Sequence, residues 1–147
     1  MKQVKQKPNH CVPACLKAIL SDIGIKKSQY EIVRDNPDVF NKNGVANYTS
    51  MWDRVFKRYG VQVSLWFEDE KKPYDFEKLK KIASNPNVKI LLLWRKGDQH
   101  TVGLNCIKDN GDIEVMDPAL DIPDVYKIDK QKELNLAIVS FTFSINK

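Results

Sequence analysis

The stretch Gln6-Lys7-Pro8-Asn9-His10-Cys11-Val12-Pro13-Ala14-Cys15-Leu16-Lys17-Ala18-Ile19-Leu20 decides how this chain is read. Val12, Cys15, Leu16, Ile19, Leu20 and Ile23 recur at helical spacing, which predicts a helix from about Cys11 to Ile23 with one buried face. Pro13 is tolerated because N–H groups of the first turn have no partner within the helix. Gly24 ends it. Cys11 therefore stands at the helix N-terminus. There the positive end of the helix dipole favours thiolate over thiol and makes the sulfur a nucleophile near neutral pH.

Two further residues extend the argument. His100 opens the run His-Thr-Val-Gly-Leu-Asn-Cys-Ile, and Asp117 closes Val-Met-Asp-Pro-Ala. Cys, then His, then Asp in chain order is the set a papain-like cysteine hydrolase needs: nucleophile, base, and a carboxylate to orient the base. His10 is the other histidine. It adjoins Cys11, and neighbours on a helix do not face each other. Cys15 and Cys106 read as core thiols, Cys106 because it alternates with Val102 and Leu104 on one face of a strand.

The order of elements gives the fold class. Helices are predicted at 11–23, 28–34 with Ser28 as cap, 49–59, and a short one after Asp75. Strands are predicted at 61–67, 88–94, 100–107, 113–117, 126–128 and 136–143. Helices thus dominate the first half and an antiparallel sheet the second, an α+β arrangement. The run Ile90–Trp94 reads by its length as a buried strand.

The sheet register bears on the site. A two-residue turn at Asn110-Gly111, the local signal, would set Asp117 opposite Leu104, too far from His100. A longer loop, Lys108 to Gly111, sets it opposite Val102 and diagonal to His100. The longer loop is the expectation.

Cys-x-Pro-Ala-Cys-Leu opening a helix, a mid-chain helix ending in Tyr59-Gly60, a buried strand, then His-Thr-Val-Gly-Leu and Asp-Pro resemble the peptidase C39 and C39-like families. These are papain-fold cysteine peptidases whose bacteriocin-processing members cleave leader peptides after a double glycine. The resemblance implies Cys11 as nucleophile, His100 as general base, Asp117 as the orienting carboxylate and Gln6 as the oxyanion-hole glutamine. It implies no cofactor and a peptide or protein substrate. Val12 stands where the family usually has glycine, which predicts a narrower cleft, and Gln6 is one residue closer to the cysteine than usual. The same triad also serves amidases, deamidases and transglutaminases, and some C39-like domains bind peptides without cleaving them.

Composition excludes other classes. The 147 residues are one domain's worth, 42% hydrophobic and 29% charged, ordinary for a globular chain. The net charge is +5, but lysines sit beside acids, as in Glu68–Lys72, and no nucleic-acid motif accompanies them. Three cysteines do not make a disulfide framework and, with two histidines, do not fall into metal-ligand spacing. The first residues lack the apolar stretch of a signal peptide, and no run approaches the length of a membrane span. A cytoplasmic, reducing location is the expectation; oligomeric state is left open.

Overall fold

Ile90-Leu91-Leu92 is apolar without alternation because the strand that holds it lies inside a sheet covered on both faces. The computed structural model describes residues 1–68 and 71–144. Asp69 and Glu70, in the mixed-charge run, lie outside them.

Among the described residues the sheet has six antiparallel strands. They are β1 (Val63–Phe67), β2 (Val88–Leu93), β3 (Thr101–Ile107), β4 (Ile113–Met116), β5 (Asp124–Tyr126) and β6 (Ala137–Phe143), in spatial order β1-β6-β2-β3-β4-β5. Period-two alternation sends Leu91, Met116, Val139 and Phe141 into one core. That core is closed by α1 (Cys11–Asp22), α2 (Gln29–Asp35) and α3 (Asp53–Arg58). Ile90, Leu92, Val102, Ile113, Val115 and Ile138 face a second core, closed by α4 (Phe76–Ala83) and bordered by Leu134 of α5 (Ile128–Leu134). The chain is α+β, with its N-terminal helices on an antiparallel sheet. Among the described residues no helix is long and apolar enough to cross a membrane.

The helices follow their sequence signals. In α1, Val12, Cys15, Leu16, Ile19 and Leu20 are buried at the expected spacing. α2 begins with a full capping box: Ser28 Oγ accepts from the Glu31 N–H, and the Glu31 carboxylate accepts from the Ser28 N–H. The helix expected over 49–59 is broken into a 3₁₀ turn at Thr49–Met51 and then α3. α4 is capped by Asp75, which accepts from the Lys78 N–H.

Two sequence expectations are corrected. A strand expected at 126–128 is instead β5 ending at Tyr126, followed by α5, which the sequence reading lacked. α5 has seven residues and no apolar stripe. A buried glutamine holds it: Gln131 Nε2 donates to the Tyr126 and Gly111 carbonyls, and Gln131 Oε1 accepts from the Tyr74 hydroxyl. Periodicity cannot reveal a helix anchored by one polar residue.

Cys106 is exposed, not in the core. Pairing between β3 and β4 runs Gly103 with Met116 and Leu104 with Val115, then shifts so that Cys106 meets Glu114. Asn105 is thus an extra residue in β3, and this bulge breaks the alternation that would have buried Cys106.

Candidate active site

The register of β3 and β4 delivers the candidate site. Past the pair Gly103–Met116, the next step sets Asp117 level with Val102 and diagonal to His100. The expected end register is met by a different route: the loop spans residues 108–112, and the bulge at Asn105 absorbs the extra residue. Lys108 N–H donates to the Asp112 carbonyl at 2.8 Å and closes the loop.

His100 and Asp117 come together. His100 Nε2 lies 2.6 Å from Asp117 Oδ1. That contact leaves Nδ1 as the ring nitrogen available to Cys11, whose sulfur is hydrogen-bonded by the His100 side chain. Burial pushes the Cys11 thiol up, but hydrogen bonds from His100 and from Thr101, and the His100 charge, outweigh it and hold the thiol below its ordinary value. Burial likewise works against the imidazolium of His100. Its hydrogen bonds to Asp117 and Cys11 prevail and raise it to about 9. The Asp117 carboxyl is opposed by burial and held low by His100 and by the Ala119 N–H, which donates to Oδ1 at 2.9 Å. The arrangement favours thiolate, imidazolium and carboxylate in a row.

The surroundings fix these groups. Cys11 is the first residue of α1, and the first backbone bond of that helix is made by Ala14 to His10 O. The Cys11 and Val12 amides therefore precede the helical ladder. The N-terminal segment runs beside the Asp117 turn: Gln6 N–H donates to Pro118 O at 2.8 Å, and Gln3 Nε2 donates to the carbonyls of Asp117 and Leu120. Gln29, buried under this segment, accepts from the Lys7 N–H and donates to Lys5 O. Gln6 is thus held one residue from Asp117, and its side-chain Oε1 is buried without a partner among the described residues.

Three residues of the site carry no strong sequence signal. Thr101 meets the Cys11 sulfur with its N–H and its hydroxyl, and its carbonyl accepts from Cys15 Sγ at 3.6 Å. Gln3 braces the Asp117 turn from a polar N-terminal stretch. Trp94 meets His100 edge to face at 5.0 Å between centroids, donates its indole N–H to the Tyr126 hydroxyl, and donates its backbone N–H to His100 O.

The remaining candidates are settled by packing. Cys15 is fully buried, and burial pushes its thiol well up, as a core thiol requires. Val12 is 5% exposed and lies in the core under α1, so its branched side chain does not narrow a cleft. His10 is buried with Nδ1 2.6 Å from Pro8 O, edge-on to Tyr30, and it covers Gly44. Gly44 has φ +88°, and a Cβ there would overlap the His10 ring. Gly24 has the same φ and open space around it. Gly44→Ala is therefore expected to destabilise by ~2 kcal/mol or more, against about 1 kcal/mol for Gly24→Ala, which has strain alone. Urea unfolding of the two variants checks the difference.

No family model matches the chain, and no curated protein matches it. Among solved structures it is similar to the peptidase domain of Streptococcus ComA, described as a bi-functional ABC transporter involved in a quorum sensing pathway. The TM-score is 0.69 at 14% identity, with 96% of this chain and 97% of that chain covered. At that identity the likeness is one of fold. The fold is papain-like, that of a peptidase domain.

Proposed function

We propose that the protein is a cysteine peptidase of the C39-like type, one domain over residues 1–147, acting on a peptide or protein substrate in a reducing cytoplasm. The observation that carries this reading is the His100–Asp117 contact of 2.6 Å with Cys11 on the other side of the ring. The lowered Cys11 and raised His100 favour it over a non-catalytic peptide-binding module.

In this reading Cys11 Sγ attacks the scissile carbonyl carbon. The tetrahedral oxyanion is met by the Cys11 N–H and the Gln6 side-chain amide. His100 gives its proton to the leaving amine, the C–N bond breaks, and a thioester remains. Water, deprotonated by His100, attacks the thioester, and Cys11 leaves as thiolate. Asp117 holds the imidazole in the tautomer that presents Nδ1 to the sulfur.

The experiment is hydrolysis of a mixed peptide library, read by mass spectrometry, with wild type and Cys11→Ala. Products that appear with the first and not the second support the reading; identical product lists contradict it. The pH profile of kcat/KM on a cleaved peptide is expected to be bell-shaped. Below the lowered Cys11 value the thiolate takes a proton and the rate falls. Above about 9 the His100 imidazolium loses the proton that the leaving amine requires, and the rate falls again. The same group affects stability with the same sign. Because folding raises His100 from 6.5 to about 9, its stabilising contribution is full below 6.5 and is lost as pH rises through 9.

A further inference from the structure

β2 and β3 pair over only part of their length. Leu91–Leu93 is in register with Thr101–Gly103, whereas β2 begins at Val88 and β3 continues to Ile107. Beyond Gly103 the two strands part, β2 remaining on β6 and β3 on β4. The bulge at Asn105 lies in the departing segment, where an extra residue bends a strand. The split holds a groove of about 570 Å³, lined by Val88–Ile90 on one side, Leu104–Lys108 on the other, and Phe76 and Lys80 of α4.

Three features of this groove point to one kind of occupant. Two strand edges face each other without pairing, which is a template for an extended backbone. Asn105, whose Nδ2 donates to Glu114, lines the groove and keeps its Oδ1 buried with no partner among the described residues, an acceptor that a backbone N–H would satisfy. The charged lining residues are Lys80, Lys89 and Lys108 against one acid, Asp109; Lys89 is paired with Asp22 at 3.1 Å, so Lys108 and Lys80, the latter 3.9 Å from exposed Glu77, are the lysines left to meet an occupant. We propose that this groove binds an extended peptide segment carrying acidic side chains, docked edge-on against β3 and β2.

The groove and His100 lie toward opposite ends of β3, roughly 20 Å apart by strand rise over six residues. An extended substrate reaching both would draw binding energy far from its scissile bond; this link rests on the peptidase reading, while the groove itself does not.

Cys106 is exposed in the groove and serves as the reporter. In the Cys11→Ala protein, with Cys15 buried, the rate of iodoacetamide labelling at Cys106 is followed by mass spectrometry. The probes are blocked octapeptides alternating valine with glutamate or valine with lysine. The Val/Glu peptide is expected to slow labelling saturably, by about tenfold at roughly 90% occupancy. The double variant Lys80→Glu, Lys108→Glu should lose this protection while labelling normally without peptide. No protection, or equal protection by the Val/Lys peptide, would overturn the proposal. Undiminished protection by a Val/Glu peptide N-methylated at alternate residues would overturn its strand-pairing part. Because the assay is run without Cys11, its failure leaves the peptidase reading standing.

Discussion

His100→Ala is expected to slow alkylation of Cys11 at pH 6.5 by about tenfold or more, because the hydrogen bond and charge that hold the thiol below its ordinary value are lost. In the native protein, burial of Cys11 is outweighed by the hydrogen bond and charge of His100, with help from Thr101. Removing the imidazole takes away the leading favourable contribution and leaves burial, which pushes the thiol up. The helix N-terminus and Thr101 remain, so the loss measures His100 itself. Labelling in a Cys106→Ser background removes the exposed thiol. Hydrolysis should fall further than alkylation, since the proposed mechanism also has His100 protonate the leaving amine; general acid–base catalysis adds about 10²–10⁴-fold. A native Cys11 that labels no faster than the variant at pH 6.5 contradicts the account.

Phe56→Ala should cost about 3–5 kcal/mol in urea unfolding, with an unchanged slope. Phe56 is fully buried and packs against Phe141 at 5.0 Å and Phe143 at 5.3 Å between ring centroids. It joins α3 to β6, next to β2 in the sheet, so the cavity left by its ring would be bordered by elements on both sides. Cys11 reactivity of the folded variant should stay at the native rate, because Phe56 is not among the groups that set it. A change below 1 kcal/mol would mean that the α1–α3 face is looser than its packing indicates.

How much of this was legible before the coordinates depended on the type of signal. The apolar face of α1, the Ser28 and Asp75 caps and the buried strand at Ile90–Leu92 are local patterns, and each is found where its pattern set it. Cys11, His100 and Asp117 were picked out by order and by position at element ends, and the sheet register brings the last two into contact. What was not legible depends on long-range choices. The bulge at Asn105 inverted the reading of Cys106 without altering any residue near it. α5 is held by Gln131, a polar residue whose partners come from Gly111, Tyr126 and Tyr74. Thr101, Gln3 and Trp94 are ordinary residues until the fold sets them around Cys11, His100 and Asp117. Val12 shows the converse: a departure from the family pattern that predicts a narrower cleft is turned into the core by the helix phase.

The proposed charged pair between Cys11 and His100 is read out by titrating the His100 imidazole. With only two histidines in the chain, NMR of histidine-labelled protein resolves both, and His10→Gln assigns them. The account predicts that His100 titrates near 9 in the native protein, and clearly lower in Cys11→Ala, where the thiolate is gone and only Asp117 still supports the charge. A native His100 that titrates at its ordinary value near 6.5, unmoved by removing Cys11, would contradict it.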